Sequence, residues 1–576
     1  MTSLGTAPFV LLDDQSSGGR ALLFARPAEI VETRDPESVA ACLDRLAGRH
    51  AAGFLAYEAG HALEPKLAPL RFRPRNDEPP LLWFGLFDVP SEIEAESLLP
   101  CGAGAWAAAP RPLVARADFE RSVAKVLAHI EAGDIYQANL TFQSEVRFAG
   151  HPLALYAALR ARSRARYGGI VYTGAHWILS FSPELFFETD GRRISARPMK
   201  GTAPRAADPE SLSADPKQRA ENLMIVDLIR NDLSRVSRPG SVAVPSLFEV
   251  ETYPTLHQMT STVTAELEGE AAPARLLDAL FPCGSVTGAP KIRARQILDR
   301  LEAGPRGVYT GAIGRVAPGG EALFNVAIRT LVVPDGARVA RLGLGSGIVA
   351  DSRPADEWRE CLAKGAFVTD PERSFDLVET MRFDPSEGMP DLERHLSRMK
   401  RSADALGFAF DRHDARNELQ AATFRVPAPS RVRLLLSSTG AVAIEIRPLG
   451  RAPEEPVPVA VLPRPVPAGD FRLAHKTSDR AFYDEALAAA RALGAFEALL
   501  EDESGFLTEG SFTSLFVERG GRLLTPPLSR GLLPGILRER LIEEGRAAEA
   551  DLAASDLRSG FLIGNAARGL VRARLL

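Results

Sequence analysis

Apolar residues recur at helical spacing in two long stretches of the chain, and a third reads as helical from its charged face. In ADFERSVAKVLAHIEAGD (117–134), Phe119, Val123, Val126, Leu127 and Ile130 share one face, which predicts a helix. Asp118 is placed to cap its start and Gly133 to end it. KQRAENLMIVDLIRNDLSRV (217–236) carries Leu223, Met224, Val226, Leu228, Ile229 and Leu233, so a long, deeply apolar helix is expected, opened by Glu221. ADSRPADEWRECLAKGAFV (350–368) reads as helical from about Pro354 and puts Glu357, Glu360 and Lys364 on one face. Strand–glycine patterns alternate with these helices: RGVYTGAIG (306–314), NVAIRTLVV (325–333) and GLGSGIVADS (343–352). Arg329 is expected on a strand between apolar neighbours, where a buried guanidinium needs an anion.

The alternation stops near TDPERS (369–374), and a second unit begins with its own strand and helix, SFDLVETMRF and LERHLSRMKRSADALGF. The pattern predicts an α+β protein: residues 1–368, a linker at 369–374, and residues 375–576. Two further linkers are expected, the small-residue tract CGAGAWAAAPRP (101–112) and the proline-rich RPLGRAPEEPVPVAVLPRPVPAGD (447–470). The C-terminal unit also holds a helix in AHKTSDRAFYDEALAAARALGA (474–495), with Ser478 or Asp479 able to cap it.

Composition adds exclusions. The 576 residues are 45% hydrophobic and 25% charged, with a formal net charge of −5, which gives no reason to expect nucleic acid or an anionic membrane as partner. The four cysteines are far apart, so neither a disulfide framework nor a zinc site is expected. No stretch reaches membrane-spanning length and the N-terminal segment lacks the pattern of a signal peptide, so a cytoplasmic protein is the expectation.

The chemistry-bearing residues form two groups. In SFSPELFFETDGRRISARPMKGT (180–202), Asp190-Gly191 signals a hairpin that pairs residue 189 with 192 and Glu184 with Arg197. Glu184 and Lys200 then sit at the same hairpin end. A carboxyl beside a lysine is usually a surface salt bridge, but it can also be a general acid beside a nucleophilic amine. Glu221 and the 357–360 face are two carboxylate sources that could complete an oxygen site for Mg²⁺, although each is ordinary on its own helix. FPCGSVTGAPK (281–291) runs a turn into a helix start, where free N–H groups bind anions. In the second group, Lys476 precedes a helix, Glu509 lies in LTEGS, and the turn Gly531–Gly535 opens a helix at Ile536. A lysine, a buried acid and a phosphate nest are the parts a pyridoxal phosphate enzyme needs.

GDIYQANLT (133–141), SPELFF, ENLMIVDLIRND, FPCGSVTGAPK, RGVYTGAIG, IRTL and GSGIVADS together resemble, in order, the chorismate-utilising enzymes. That family comprises the anthranilate, aminodeoxychorismate, isochorismate and salicylate synthases, and the resemblance covers roughly residues 50–368. It implies a large fold of antiparallel sheets with flanking helices. Anthranilate synthases look like PIAGT where this chain has PMKGT, whereas aminodeoxychorismate synthases commonly carry PIKGT. The resemblance therefore implies Lys200 as nucleophile and Glu184 as general acid. It also implies Mg²⁺ on Glu221, Glu357 and Glu360, and chorismate contacts from Tyr309, Arg329, Thr287, Gly345, Gly347 and Lys364. Gln258 stands where many relatives have a histidine, and the preceding His257 is given no role. No glycine-flanked cysteine with a downstream histidine pair is present, so a separate glutaminase subunit is implied as ammonia source.

Residues 374–576 resemble fold-type IV aminotransferases, a family that includes aminodeoxychorismate lyase. The resemblance implies a two-subdomain fold, Lys476 as the lysine bonded to pyridoxal 5′-phosphate, and Glu509 as partner of the pyridine nitrogen. Arg398 and the backbone of Ile536 and Leu537 are implied as phosphate contacts. Ser514 stands where asparagine is common and Leu537 where threonine is common. Such enzymes usually dimerise, so a homodimer through this domain is an expectation. The fusion as a whole implies p-aminobenzoate synthesis; the competing readings are an anthranilate- or isochorismate-type synthase fused to an aminotransferase, and a synthase with a non-catalytic C-terminal scaffold.

Overall fold

The computed structural model describes residues 7–15, 20–205, 208–252, 256–269, 272–370 and 372–576; Pro371, within the expected linker, lies outside them. The chain divides into two compact units. The first comprises residues 1–102, 109–147 and 156–369, and the second 103–108, 148–155 and 370–576. The tract expected to be a linker at 101–112 is thus partitioned, with Ala103–Ala108 packed into the second unit.

The first unit holds an eleven-stranded and a ten-stranded sheet whose pairings are all antiparallel. Alternating β-branched, aromatic and small residues let each strand bury one face or both. The longest pairing joins Gln137–Ala149 to Val339–Ile348 and sets Gly345 opposite Thr141 and Gly347 opposite Asn139. In the ten-stranded sheet Phe84, Phe187 and Phe324 are fully buried and pack ring against ring. Each contributes roughly 1.5–3 kcal/mol by leaving water. The helix Pro216–Ser234 adds Ile225, Val226, Ile229 and Leu233 to this core.

The helices stand where periodicity puts them, but their ends differ. Arg116–Glu131 starts a turn early, after Ala115, so Asp118 lies in the first turn and does not cap. Gly133, at a φ of 77°, does terminate it. Pro216–Ser234 begins before Glu221, which sits in its second turn. The Asp190 hairpin is wider than a two-residue turn: Thr189 pairs with Ile194, and Leu185, not Glu184, pairs with Arg197. The cause is Asp190, whose Oδ1 accepts from the N–H groups of Arg192 (2.8 Å) and Arg193 (2.7 Å) and so opens a four-residue loop. A bulge between Leu185 and Glu188 then shifts the register by one. Arg329 is not on a strand. It is half-buried in the connection before Thr330–Pro334, at a φ of 50°.

The second unit has a three-stranded sheet, Leu377–Phe383, Ser430–Leu436 and Val442–Pro448, and an eight-stranded mixed sheet. The proline-rich stretch 447–470 is not simply a linker: Val457–Pro463 is an interior strand of the larger sheet, parallel to both neighbours. Alternate valines explain this, since Val457 and Val459 are buried in the core while the prolines punctuate the strand ends. Neither Ser478 nor Asp479 caps Ala481–Ala492. Ser478 Oγ accepts from Asp376 N–H, and Asp479 pairs with Arg373 and Arg472. No helix of the described residues is long and apolar enough to cross a membrane.

Two candidate active sites

In the first unit the strand Met199–Pro204 carries Lys200, and Glu184 precedes Leu185–Asp190. Glu184 is buried, and Ser285 Oγ donates to its Oε1 at 2.6 Å. Burial raises its pKa to about 7, against the lowering pull of the Ser285 hydroxyl and the charges of Lys200 and Lys364. Lys200 is half-buried and its pKa is lowered, first by desolvation and then by repulsion from Lys364, while Glu221, Glu360 and Glu184 oppose the change. Its amine lies over Gly347, where a β-carbon would stand 2.7 Å from Nζ. Lys364 Nζ donates to Gly345 O at 3.0 Å and pairs with Glu360 at 2.7 Å.

The fold thus assembles Glu184, Gly347, Lys364, Glu221 and Glu360 around the Lys200 amine, with Gly345 joined to them through Lys364. Glu357, half-buried one turn earlier on Pro354–Gly365, is felt at Cys361 of its own helix. No three acidic, histidine or cysteine side chains of the described residues stand together as a metal cluster. Tyr309 is buried with its ring against Gly343, where a β-carbon would fall 2.1 Å from the ring. Thr287 is fully buried, and its hydroxyl is committed to its own turn through Gly284 O (3.0 Å) and Cys283 O (3.3 Å). Ser285, two residues earlier, is the side chain of that turn that meets Glu184, and sequence reasoning passed over it. His257 is spent on structure, with Nδ1 2.9 Å from Thr252 Oγ1 and Nε2 3.1 Å from Arg205 O.

In the second unit Lys476, Glu509, Arg398, Ile536 and Leu537 all line one cavity of about 550 Å³. That volume suits a cofactor-sized ligand. Lys476 has a pKa lowered to about 7 by burial and by the nearby Arg398 charge, with Glu379 opposing. Glu509 is buried, which raises its pKa to about 7. Its Oε1 accepts from Tyr483 Oη at 2.5 Å and from Leu533 N–H at 3.1 Å. Arg398 is buried and bidentate on Glu379, at 2.8 and 2.6 Å, and its Nη1 donates to Pro534 O at 2.8 Å. His395 Nδ1 meets the same carboxylate at 2.6 Å, and its buried Nε2 has no protein partner. The charge of Arg398, with its hydrogen bonds and those of His395, holds Glu379 well below the usual carboxylate range in spite of burial. Gly535 precedes the helix Ile536–Glu543, whose first N–H groups have no intrahelical acceptor. The donor set fits pyridoxal phosphate: a helix N-terminus and an arginine for the phosphate, an amine, and an acid for the ring nitrogen. Tyr483, Glu379 and His395 were not singled out from the sequence.

Residues 8–370 match the chorismate binding enzyme family. The chain belongs to the chorismate binding enzymes. Residues 376–576 of this chorismate binding enzyme match amino-transferase class IV, so it carries a domain of that class at its C-terminal end. An aminodeoxychorismate synthase of Streptomyces griseus is 46% identical over 245 residues, 41% of this chain and 34% of that protein. Aminodeoxychorismate synthase component 1 of Klebsiella aerogenes is 39% identical over 279 residues, 47% of this chain and 61% of that protein. The matches therefore span about a third and about three-fifths of those two relatives. Anthranilate synthase component I from Streptococcus pneumoniae superposes with a TM-score of 0.51 at 25% identity, covering 61% of this chain and 92% of that one.

Proposed function

We propose that this chorismate binding enzyme makes p-aminobenzoate for folate synthesis in two steps, one in each unit. In the first, Lys200 attacks C2 of chorismate as neutral amine while the C4 hydroxyl leaves as water, protonated by Glu184. Ammonia then bonds to C4 and the C2–Nζ bond breaks, giving 4-amino-4-deoxychorismate and returning Lys200. The observation that carries this reading is the pair itself: an amine whose proton affinity is lowered, beside a carboxyl that stays protonated to about pH 7. Arg329, Tyr309, Lys364, the Thr287 turn and the backbone at Gly345 and Gly347 would position the ring and its carboxylates. Glu221 and Glu360, which both act on the Lys200 amine, are the hard oxygen donors that would hold Mg²⁺, with Glu357 one turn before Glu360 on the same helix as a third carboxylate. The relatives named component 1 support a separate glutaminase as ammonia source.

In the second step Lys476 takes the proton from C4 and the C3–O bond breaks. Enolpyruvate leaves as pyruvate and the ring becomes aromatic. Pyridoxal phosphate, when bound, supplies the electron sink that makes that proton acidic. Glu509 would hold the ring nitrogen, and Arg398 with Ile536 and Leu537 N–H the phosphate. The lowered pKa of Lys476, at about 7, suits proton transfer near neutrality. The test is incubation of the full chain with chorismate, Mg²⁺, pyridoxal phosphate and an ammonium salt, with chromatography of products. p-Aminobenzoate and pyruvate are expected. Aminodeoxychorismate alone would refute the lyase step, and anthranilate or isochorismate would refute the role of Lys200.

A further inference from the structure

The cavity around Lys476 is unusually cationic. Arg398, Arg431, Arg433, Arg480, Arg491 and Arg568 all line it, against the carboxylates of Asp484 and Glu509. Three of these guanidiniums are already answered: Arg398 by Glu379, Arg433 by Glu445 at 3.1 Å, and Arg480 by Asp484 at 3.0 Å. Arg431, Arg491 and Arg568 have no carboxylate partner among the described residues; Arg491 and Arg568 are exposed at the cavity mouth and solvated, whereas Arg431 is half-buried.

Arg431 stands out in a second way. On the three-stranded sheet it lies directly between Arg382 and Arg447, its cross-strand neighbours on either side. Like charges directly opposite each other destabilise a sheet. The outer two each meet a carboxylate, Arg382 that of Asp384 at 3.1 Å and Arg447 that of Glu445, which it shares with Arg433, and the central one meets none. A half-buried arginine in the middle of such a row, facing a cavity, calls for an anion from outside the protein. Arg491 reaches the same cavity from the last turn of Ala481–Ala492, and Arg568 from the turn between Phe561–Asn565 and Gly569–Leu575.

We propose that Arg431, Arg491 and Arg568 form an anion-reading wall that selects a substrate with two carboxylates over one with a single carboxylate. The inference rests on the lyase reading above, whose substrate carries one carboxylate on its ring and a second on its enolpyruvyl arm. Its cofactor phosphate has a separate seat at Arg398 and the helix start. A monocarboxylate amino acid would leave part of this wall unanswered.

The test uses the full chain loaded with pyridoxal phosphate and two unreactive probes, 3-(carboxymethoxy)benzoate and benzoate, followed by the absorbance of the bound cofactor. The dicarboxylate is expected to bind at least tenfold more tightly, with a preference that fades as salt is raised. Arg431→Gln should cut that preference about tenfold and leave benzoate affinity and the cofactor spectrum unchanged. Arg568→Gln should act the same way, and Arg431→Lys should restore part of the preference. Equal affinity for the two probes, or a preference that survives Arg431→Gln and Arg568→Gln, would overturn the inference. Because the probes do not react, the two readings fail separately. Dicarboxylate selection without p-aminobenzoate formation refutes only the lyase step, and p-aminobenzoate formation without selection refutes only the wall.

Discussion

Replacing Ser285 with alanine removes one hydroxyl from a buried turn and should move the pH dependence of the first step. That hydroxyl donates to Glu184 Oε1 at 2.6 Å, and its other neighbour is Cys283 Sγ at 3.2 Å. A hydrogen bond to a charged group is worth about 1.5–3 kcal/mol, and about 1.4 kcal/mol corresponds to one pKa unit. The bond favours the ionised carboxylate, so its loss carries the Glu184 pKa from about 7 to about 8–9. If Glu184 acts as an acid, activity falls as pH rises through its pKa. The alkaline limb of ammonia-dependent turnover should therefore move up by about one to two pH units in Ser285→Ala, with little change near pH 6. The control is Thr287→Val, whose lost hydroxyl served only backbone carbonyls of its own turn and should leave that limb in place. An unmoved limb in Ser285→Ala, or an equal movement in Thr287→Val, would refute Glu184 as the acid.

Gly347→Ala places a methyl group 2.7 Å from Lys200 Nζ, the free end of a flexible side chain. The fold should persist by circular dichroism while kcat falls on the order of 100-fold, since displacing a reacting group by about 1 Å costs that much. Glu379→Gln leaves Arg398 buried without its counter-ion, and urea unfolding of the second unit should show a loss of about 3–5 kcal/mol. In the wild type Glu379 has its pKa depressed, so its stabilisation is full above about pH 4.3 and fades as pH falls below it. A stability profile flat through that window in the wild type would contradict the pairing. Tyr483→Phe removes the 2.5 Å donor to Glu509, raises the Glu509 pKa, and should weaken pyridoxal phosphate binding, read from cofactor absorbance during dialysis.

The helices were legible because they depend on local spacing. Periodicity alone placed Pro354–Gly365, and with it the Glu360–Lys364 pair. The Asp190 hairpin was visible but its register was not, because the side chain of Asp190 itself holds two backbone N–H groups and widens the loop. Val457–Pro463 was misread because proline density hid two inward valines whose strand partners lie far along the chain. At the first site, sequence could name the turn Gly284–Thr287 but not which of its two hydroxyls faces Glu184; that depends on how the turn packs. At the second, Glu379 was detectable in principle as a lone acid among inward-facing apolar residues of LVETMRF. Only the fold reveals that Arg398 and His395, one turn apart, both answer it.

The assignment of Ala103–Ala108 and Phe148–Leu155 to the second unit means that the polypeptide passes from one unit to the other five times. The borrowed residues are not idle. Trp106 packs its ring 4.8 Å from Phe375 and donates to Leu406 O, Ala149 lies in the same core, and Arg373 grips Ala103 O and Ala105 O at 2.7 Å each. A protease nick between Thr369 and Asp370 would sever the backbone at one crossing and leave the other four intact. The two fragments would part on a denaturing gel and travel together on a sizing column. A gene cut at the same place would yield a C-terminal half whose apolar face at Phe375 lacks the covering ring of Trp106.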